Sequence, residues 1–196
     1  EEERGHLARE LHDELGALLT AAKLDVARLK SKIGTLSPDV VERLGHLTET
    51  LNTGIALKRR IVEDLHPSSL YHLGLTASLE ILTHEFSNHS GIPINTDLDT
   101  VEIDAAGQLT IYRLIQESLT NIGKYAEATL ITVTVQNYTG HVQVDVHDNG
   151  KGFDMAHVRP STHGIAGMRH RVEAAGGRLT VISSPGNGTH ISAALP

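Results

Sequence analysis

His12, Asp13 and Glu14 stand on consecutive residues inside the leucine-rich stretch "ELHDELGALL", residues 10–19. A neutral imidazole nitrogen is a nucleophile, and a carboxylate beside it can orient the ring, fix its tautomer and accept its proton. The bland alternative is a solvated helix face that carries a histidine by chance. His12 follows Leu11 by one position, about 100° round a helix, so it flanks the leucine stripe instead of filling it. A second set lies in "YRLIQESLTNIGKYA", residues 112–126. There Glu117, Asn121 and Lys124 fall at i, i+4 and i+7, which one helical stripe can carry. An amide oxygen such as that of Asn121 suits a hard cation like Mg²⁺, with phosphates completing the shell. Lys124 suits a phosphate as a point charge. The same spacing also describes an ordinary solvated helix face.

Two glycine-containing stretches follow. In "DVHDNGKGFD", residues 145–154, a strand runs out at Asp148 and Gly150 and Gly152 come next. A carboxylate accepts a hydrogen bond from an exocyclic amine such as that of adenine, and the glycines allow close approach of a flat ligand. A plain Asn-Gly turn is the competing reading. In "THGIAGMRHRVEAAGG", residues 162–177, Gly164 and Gly167 stand at the start of a helix. Free N–H groups and the helix dipole attract phosphate there. Between these stretches the polar "FDMAHVRPST", residues 153–162, has the character of a lid over a bound ligand.

The elements that must position these groups are legible from the hydrophobic pattern. Leu7, Leu11, Leu15, Leu18, Ala22, Val26, Leu29 and Ile33 step by threes and fours, the seam of a coiled coil or bundle helix. "GTLSPD" breaks it, with Gly34 suited to a C-cap, Ser37 to an N-cap and Pro38 to a first turn. A second helix is expected over roughly 38–65, on a stripe of Leu44, Leu47, Leu51, Ile55, Val62 and Leu65. Such a hairpin has too little core to stand alone, so a homodimeric four-helix bundle is the economical arrangement. It would place Lys58, Arg59 and Arg60 level with His12. "HPSSLYHLG", residues 66–74, reads as a linker. Beyond it, helices are expected over 75–89, 104–126 and 164–176. Strands are expected over 92–98, in "LITVTVQN" and "HVQVDVHD", and in two closing segments around Pro-Gly-Asn-Gly. This is an α+β sandwich.

Composition narrows the chemistry. A net charge of −7 over 196 residues argues against a general nucleic-acid binder. The absence of cysteine removes disulfides and thiolate metal sites and suits a reducing compartment. The 13 histidines include neither HExxH nor a pair at i, i+4 on one helix. No apolar run approaches the roughly 18 residues of a membrane span. The helical opening "EEERGHLARE" is expected of a fragment whose N-terminal part has been removed.

The order of the motifs, more than any one of them, resembles the GHKL ATPase fold of histidine kinases, type II topoisomerases, heat-shock chaperones and mismatch-repair ATPases. "QESLTNIGKYA" resembles the N box, "DNGKGFD" the G1 box, and the segment from Gly164 to Pro196 the G2 box with its closing strands. Upstream, "RELHDELGALLTAAKLDVARLK" resembles the phosphoacceptor helix of nitrate-sensor-like sensor histidine kinases, and "DLHPSSLYHLGL" the junction between their two domains.

The resemblance implies a dimerisation and phosphoacceptor domain over 1–66 and an ATP-binding domain over 67–196. It implies His12 as nucleophile, Asp13 as its base and Glu117 as the N-box acid. Asn121 would hold Mg²⁺, with Lys124 and Tyr125 nearby. Asp148 would anchor adenine, Gly150, Gly152, Gly164 and Gly167 would shape the pocket, and Thr189 would lie beside the base. The implied activity is ATP-dependent phosphorylation of His12, then transfer to an aspartate of a response-regulator receiver domain. The setting is cytoplasmic, with any membrane contact made through a sensor region absent from this chain. The other reading is a catalytically silent, dimeric nucleotide-binding module. Two positions depart from the pattern: Ala17 replaces the glutamine many relatives carry five residues after the histidine, and Tyr125 replaces a frequent histidine. The first implies weak response-regulator phosphatase activity.

Overall fold

The computed structural model describes residues 6–8, 10–32, 38–65, 67–154 and 163–196, and divides into two units, Glu1–Ser68 and Ser69–Pro196. Ile33, the turn at 34–37 and residues 155–162 of the expected lid lie outside the described residues.

In the first unit a π-helical turn, Leu11–Leu15, leads into α1 (Gly16–Lys32), and α2 (Pro38–Leu65) packs against both. The heptad pattern produces these helices, but little of the seam is buried within one chain. Among the described residues from His6 to Leu65 only Ala8 and Val26 are buried, while Leu7, Leu15, Leu18, Leu24, Leu47, Leu57 and Ile61 are exposed.

A short helix absent from the sequence reading, α3 (Ser68–Leu73), starts at the last residue of the first unit and opens the second. That stretch was expected to be a linker; Pro67 does not suit a helix interior, and the chain turns helical again from Ser68. There follow α4 (Leu75–Ser90), β1 (Ile94–Leu98), α5 (Ala105–Asn121) with a π turn Ile122–Ala126, β2 (Ile131–Tyr138), β3 (His141–Asp148), α6 (His163–Ala174), β4 (Arg178–Ser183) and β5 (Thr189–Leu195). The sheet runs β1-β2-β3-β5-β4; β1 and β2 are parallel and every other pair is antiparallel.

Alternation sorts the two sheet faces. Ile131, Val133, Val135, Val142, Val144, Val146, Ile191 and Ala193 turn into the core, where Ile111, Leu114, Ile115 and Leu119 of α5 and Met168 and Val172 of α6 meet them. Thr132, Thr134, Gln143, Asp145 and Ser192 occupy the alternate positions. Local signals set the ends of the helices. Asp104 caps α5 by accepting from the Gly107 N–H at 2.7 Å. Gly91 closes α4 in the left-handed conformation, its N–H on the Ser87 carbonyl.

Candidate functional site

On α5 the i, i+4 spacing puts Glu117 and Asn121 one turn apart, both half-buried. The Asn121 Nδ2 donates to Glu117 Oε1 at 3.3 Å, which leaves the amide oxygen for another partner. Gly164, near the start of α6, closes against the same pair. A Cβ there would sit 2.5 Å from Glu117 Oε1 and 3.3 Å from Asn121 Nδ2. Residues more than forty positions apart therefore share one surface, and glycine is the residue that fits between them. Gly167 differs. It is the fifth residue of α6, one turn beyond the free N–H groups, and a Cβ there would meet Arg171 at an ordinary 3.4 Å.

Lys124 and Tyr125 fall in the π turn, where the helix widens and the α-helical stripe does not continue. Both are exposed, Tyr125 by 64 %, and neither is hydrogen-bonded to Glu117 or Asn121.

Asp148 ends β3 with 2 % exposure. Its Oδ1 accepts from the Gly150 N–H at 2.8 Å, and Oδ2 has no hydrogen-bond partner among the described residues. Thr189 is its register partner on β5. A Cβ on Gly150 would strike the Ala126 carbonyl oxygen, and one on Gly152, at φ 58°, the Ser184 carbonyl oxygen. The loop after Asp148 is thereby laced to the end of the π turn: the Lys151 N–H donates to the Ala126 carbonyl at 2.7 Å, and its ammonium meets Glu127 Oε1 at 2.7 Å. That hydrogen bond, and the lysine's charge, hold the Glu127 carboxyl below its ordinary pKa.

Three residues that the sequence reading did not single out support this site. Gly188 has φ 66°, and a Cβ there would collide with the Asp148 carbonyl oxygen. Its position in "GNGT" was the available signal. Ser183 Oγ accepts from the Phe153 N–H, donates to the Gly188 carbonyl and lies 3.1 Å from Thr189 Oγ1. The Asn149 amide oxygen accepts from the Thr129 and Leu130 N–H groups at 2.9 and 3.0 Å, tying the loop to the start of β2.

In the first unit His12 and Asp13 are exposed on the π turn. They line an open groove of about 520 Å³ with Gly16, Ala17, Ile55 and Lys58 among its other walls. The π turn matters for Ala17. In a regular α-helix five residues turn through about 500°, leaving position 17 roughly 140° from position 12. The i→i+5 closure of a π turn brings such positions nearer to one face. Lys58 shares the groove; the side chains of Arg59 and Arg60 lie outside the described residues.

Residues 3–70 match the family model "Histidine kinase", and residues 106–196 match "Histidine kinase-, DNA gyrase B-, and HSP90-like ATPase". The chain belongs to the histidine kinases. The pairing of these two models fits the nitrate-sensor-like subfamily. All of the chain aligns with the sensor histidine kinase LiaS of Bacillus subtilis (strain 168), 30 % identical over 195 residues and 54 % of that protein. All of it also aligns with the sensor histidine kinase MctS of Rhizobium johnstonii, 34 % identical over 200 residues and 43 % of that protein. The chain thus spans about half the length of the relatives it matches. Its fold is that of the histidine kinase domain of the blue-light activated histidine kinase from Erythrobacter litoralis, with a TM-score of 0.62, 19 % identity, and coverage of 92 % of this chain and 94 % of that one. Among the described residues of this histidine kinase, no helix is long and apolar enough to cross a membrane.

Proposed function

We infer that this chain is the catalytic core of a two-component sensor kinase. It binds Mg-ATP in its C-terminal domain, residues 67–196, phosphorylates His12 in its N-terminal domain, residues 1–66, and delivers the phosphoryl group to an aspartate of a response regulator. The observation that carries the reading is the meeting of Gly164 with Glu117 and Asn121, which joins two of the family's motifs at one surface. Homodimers and response-regulator partners are general to sensor histidine kinases, and the exposed leucines of the hairpin support a dimer here. The relatives' names do not favour a silent nucleotide-binding module.

The residues fit the substrate and its metal. Asp148 is buried with Oδ2 unengaged among the described residues, and that oxygen can accept from the adenine amine. The amide oxygen of Asn121, unengaged among the described residues, is a neutral ligand for a hard cation whose remaining ligands would be phosphate oxygens and water. Bound there, Mg²⁺ supplies charge neutralisation on the phosphates. Glu117 orients the Asn121 amide and can position water or take a proton. Gly150, Gly152 and Gly188 keep the pocket's backbone where side chains would displace it.

At His12 the ring nitrogen's lone pair forms an N–P bond to the γ-phosphorus. The bond from that phosphorus to the bridging oxygen breaks, its electrons leaving with ADP. The proton on the other ring nitrogen passes to the Asp13 carboxylate. Incubating the full chain with γ-labelled ATP and Mg²⁺ tests this. The expected result is an acid-labile, base-stable label that disappears in His12→Ala while nucleotide binding persists. Tight binding with no label in the parent chain counts against catalysis.

A further inference from the structure

We propose that Lys58 supplies the positive charge that holds the phosphoryl group at His12. The proposal rests on His12 being the phosphoacceptor. A phosphoryl group carries roughly two negative charges near neutral pH, and His12 is followed directly by two carboxylates, Asp13 and Glu14. A bare site of that composition repels the group it must accept. Of the residues that line the His12 groove, Lys58 is the cation.

The placement of its ammonium is specific. Lys58 reaches over from α2, is half-buried, and sets Nζ over the backbone of Gly16, one turn beyond His12. A Cβ at position 16 would lie 2.9 Å from that nitrogen. Glycine inside a helix is costly, and here its missing side chain opens the gap that the ammonium occupies. A lysine that only covered apolar surface would send its head group to water; this one lies across the phosphoacceptor helix. Among the described residues no carboxylate pairs with it. Asp25, Asp39 and Glu127 pair with Arg28, Arg43 and Lys151, and His6 pairs with Glu10. Its charge is therefore available to an incoming anion, and a charge-assisted contact to phosphate oxygens is of the strong class. The N–P and P–O bond changes are those given for His12; Lys58 neutralises the oxygens without exchanging a proton.

The test uses the full chain with γ-labelled ATP and Mg²⁺, measuring the initial rate of His12 labelling and the half-life of the label after nucleotide is removed. Lys58→Met should slow labelling about tenfold and shorten the label's half-life. Affinity for a fluorescent ATP analogue and the sedimentation profile should stay at parental values. Lys58→Arg should restore most of the rate. Gly16→Ala keeps the charge but displaces it, and should give an intermediate loss. Parental rate and half-life in Lys58→Met overturn the proposal while leaving His12 as phosphoacceptor. If Lys58→Met alters sedimentation, Gly16→Ala decides: slower labelling supports the proposal and unchanged labelling overturns it. A parent chain that binds nucleotide yet never labels His12 removes both the proposal and the reading beneath it.

Discussion

The sandwich and the hairpin spend their apolar residues in opposite ways. In the sandwich, Ile111, Ile115, Leu119, Ile131, Val144 and Val172 are sealed between helices and sheet within one chain. In the hairpin and the stretch leading into it, from His6 to Leu65, Ala8 and Val26 are the buried apolar residues among those described, and Leu18 stands 68 % exposed. Periodicity of comparable clarity thus gives a finished core in one unit and an open face in the other. A two-layer α/β unit closes on itself, whereas two helices have only one line of contact and leave the rest of their stripe for another surface. The stability of the first should be a property of the chain; that of the second should depend on concentration.

Breaking the sandwich from within gives the largest effect. Leu119→Ala removes a fully buried side chain and should cost about 2–5 kcal/mol, read as a lowered denaturation midpoint of the C-terminal unit. The loss should be the same at every protein concentration. A cost below ~1 kcal/mol would mean the core around α5 is looser than its packing indicates.

The hairpin answers to a different test. Leu18→Glu alters an exposed residue and should barely change the helicity of a single chain. Across a two-fold interface it acts twice, and each leucine buried there is worth about 1.5–3 kcal/mol. The dimer dissociation constant should rise on the order of a hundredfold or more, measured by sedimentation, with the sandwich unaffected. A parent chain that is monomeric at micromolar concentration with its helicity intact would remove the dimer and leave the exposed leucines unexplained.

The same contrast separates what was legible in the sequence from what was not. Where a residue's role follows from its neighbours along the chain, the pattern sufficed. The alternation in β2 and β3 and the Glu117–Asn121 turn are of this kind. Roles set by distant backbone were missed. Gly188 matters because it abuts the Asp148 carbonyl, and Ser183 because it joins Phe153, Gly188 and Thr189. Both π turns were also invisible, since a pattern read at a 3.6-residue period carries no mark of a single wider turn. One follows Asn121, so the stripe expected to include Lys124 needed redrawing; the other carries His12.

Ala17 offers the smallest and sharpest comparison within the hairpin itself. Autophosphorylation needs a nucleophile, a base and a held phosphoryl group; removal of phosphate from a response regulator needs a water aligned on the phosphoaspartate. A side-chain amide can both donate to and accept from such a water, and a methyl group can do neither. Position 17 lies in the same groove as His12 and Asp13, so the deficit is chemical and not one of placement. With ADP present, this chain should therefore dephosphorylate its phosphorylated regulator slowly. Ala17→Gln should accelerate the decay severalfold and leave His12 labelling near the parental rate, because autophosphorylation does not use a side-chain amide at that position. The assay follows loss of phosphate from the regulator in parallel with a His12→Ala variant, which excludes back-transfer through the histidine. Rapid decay with the parent that persists in His12→Ala would overturn the prediction. It would then assign water alignment to another group, with Glu14 the nearest candidate along the chain.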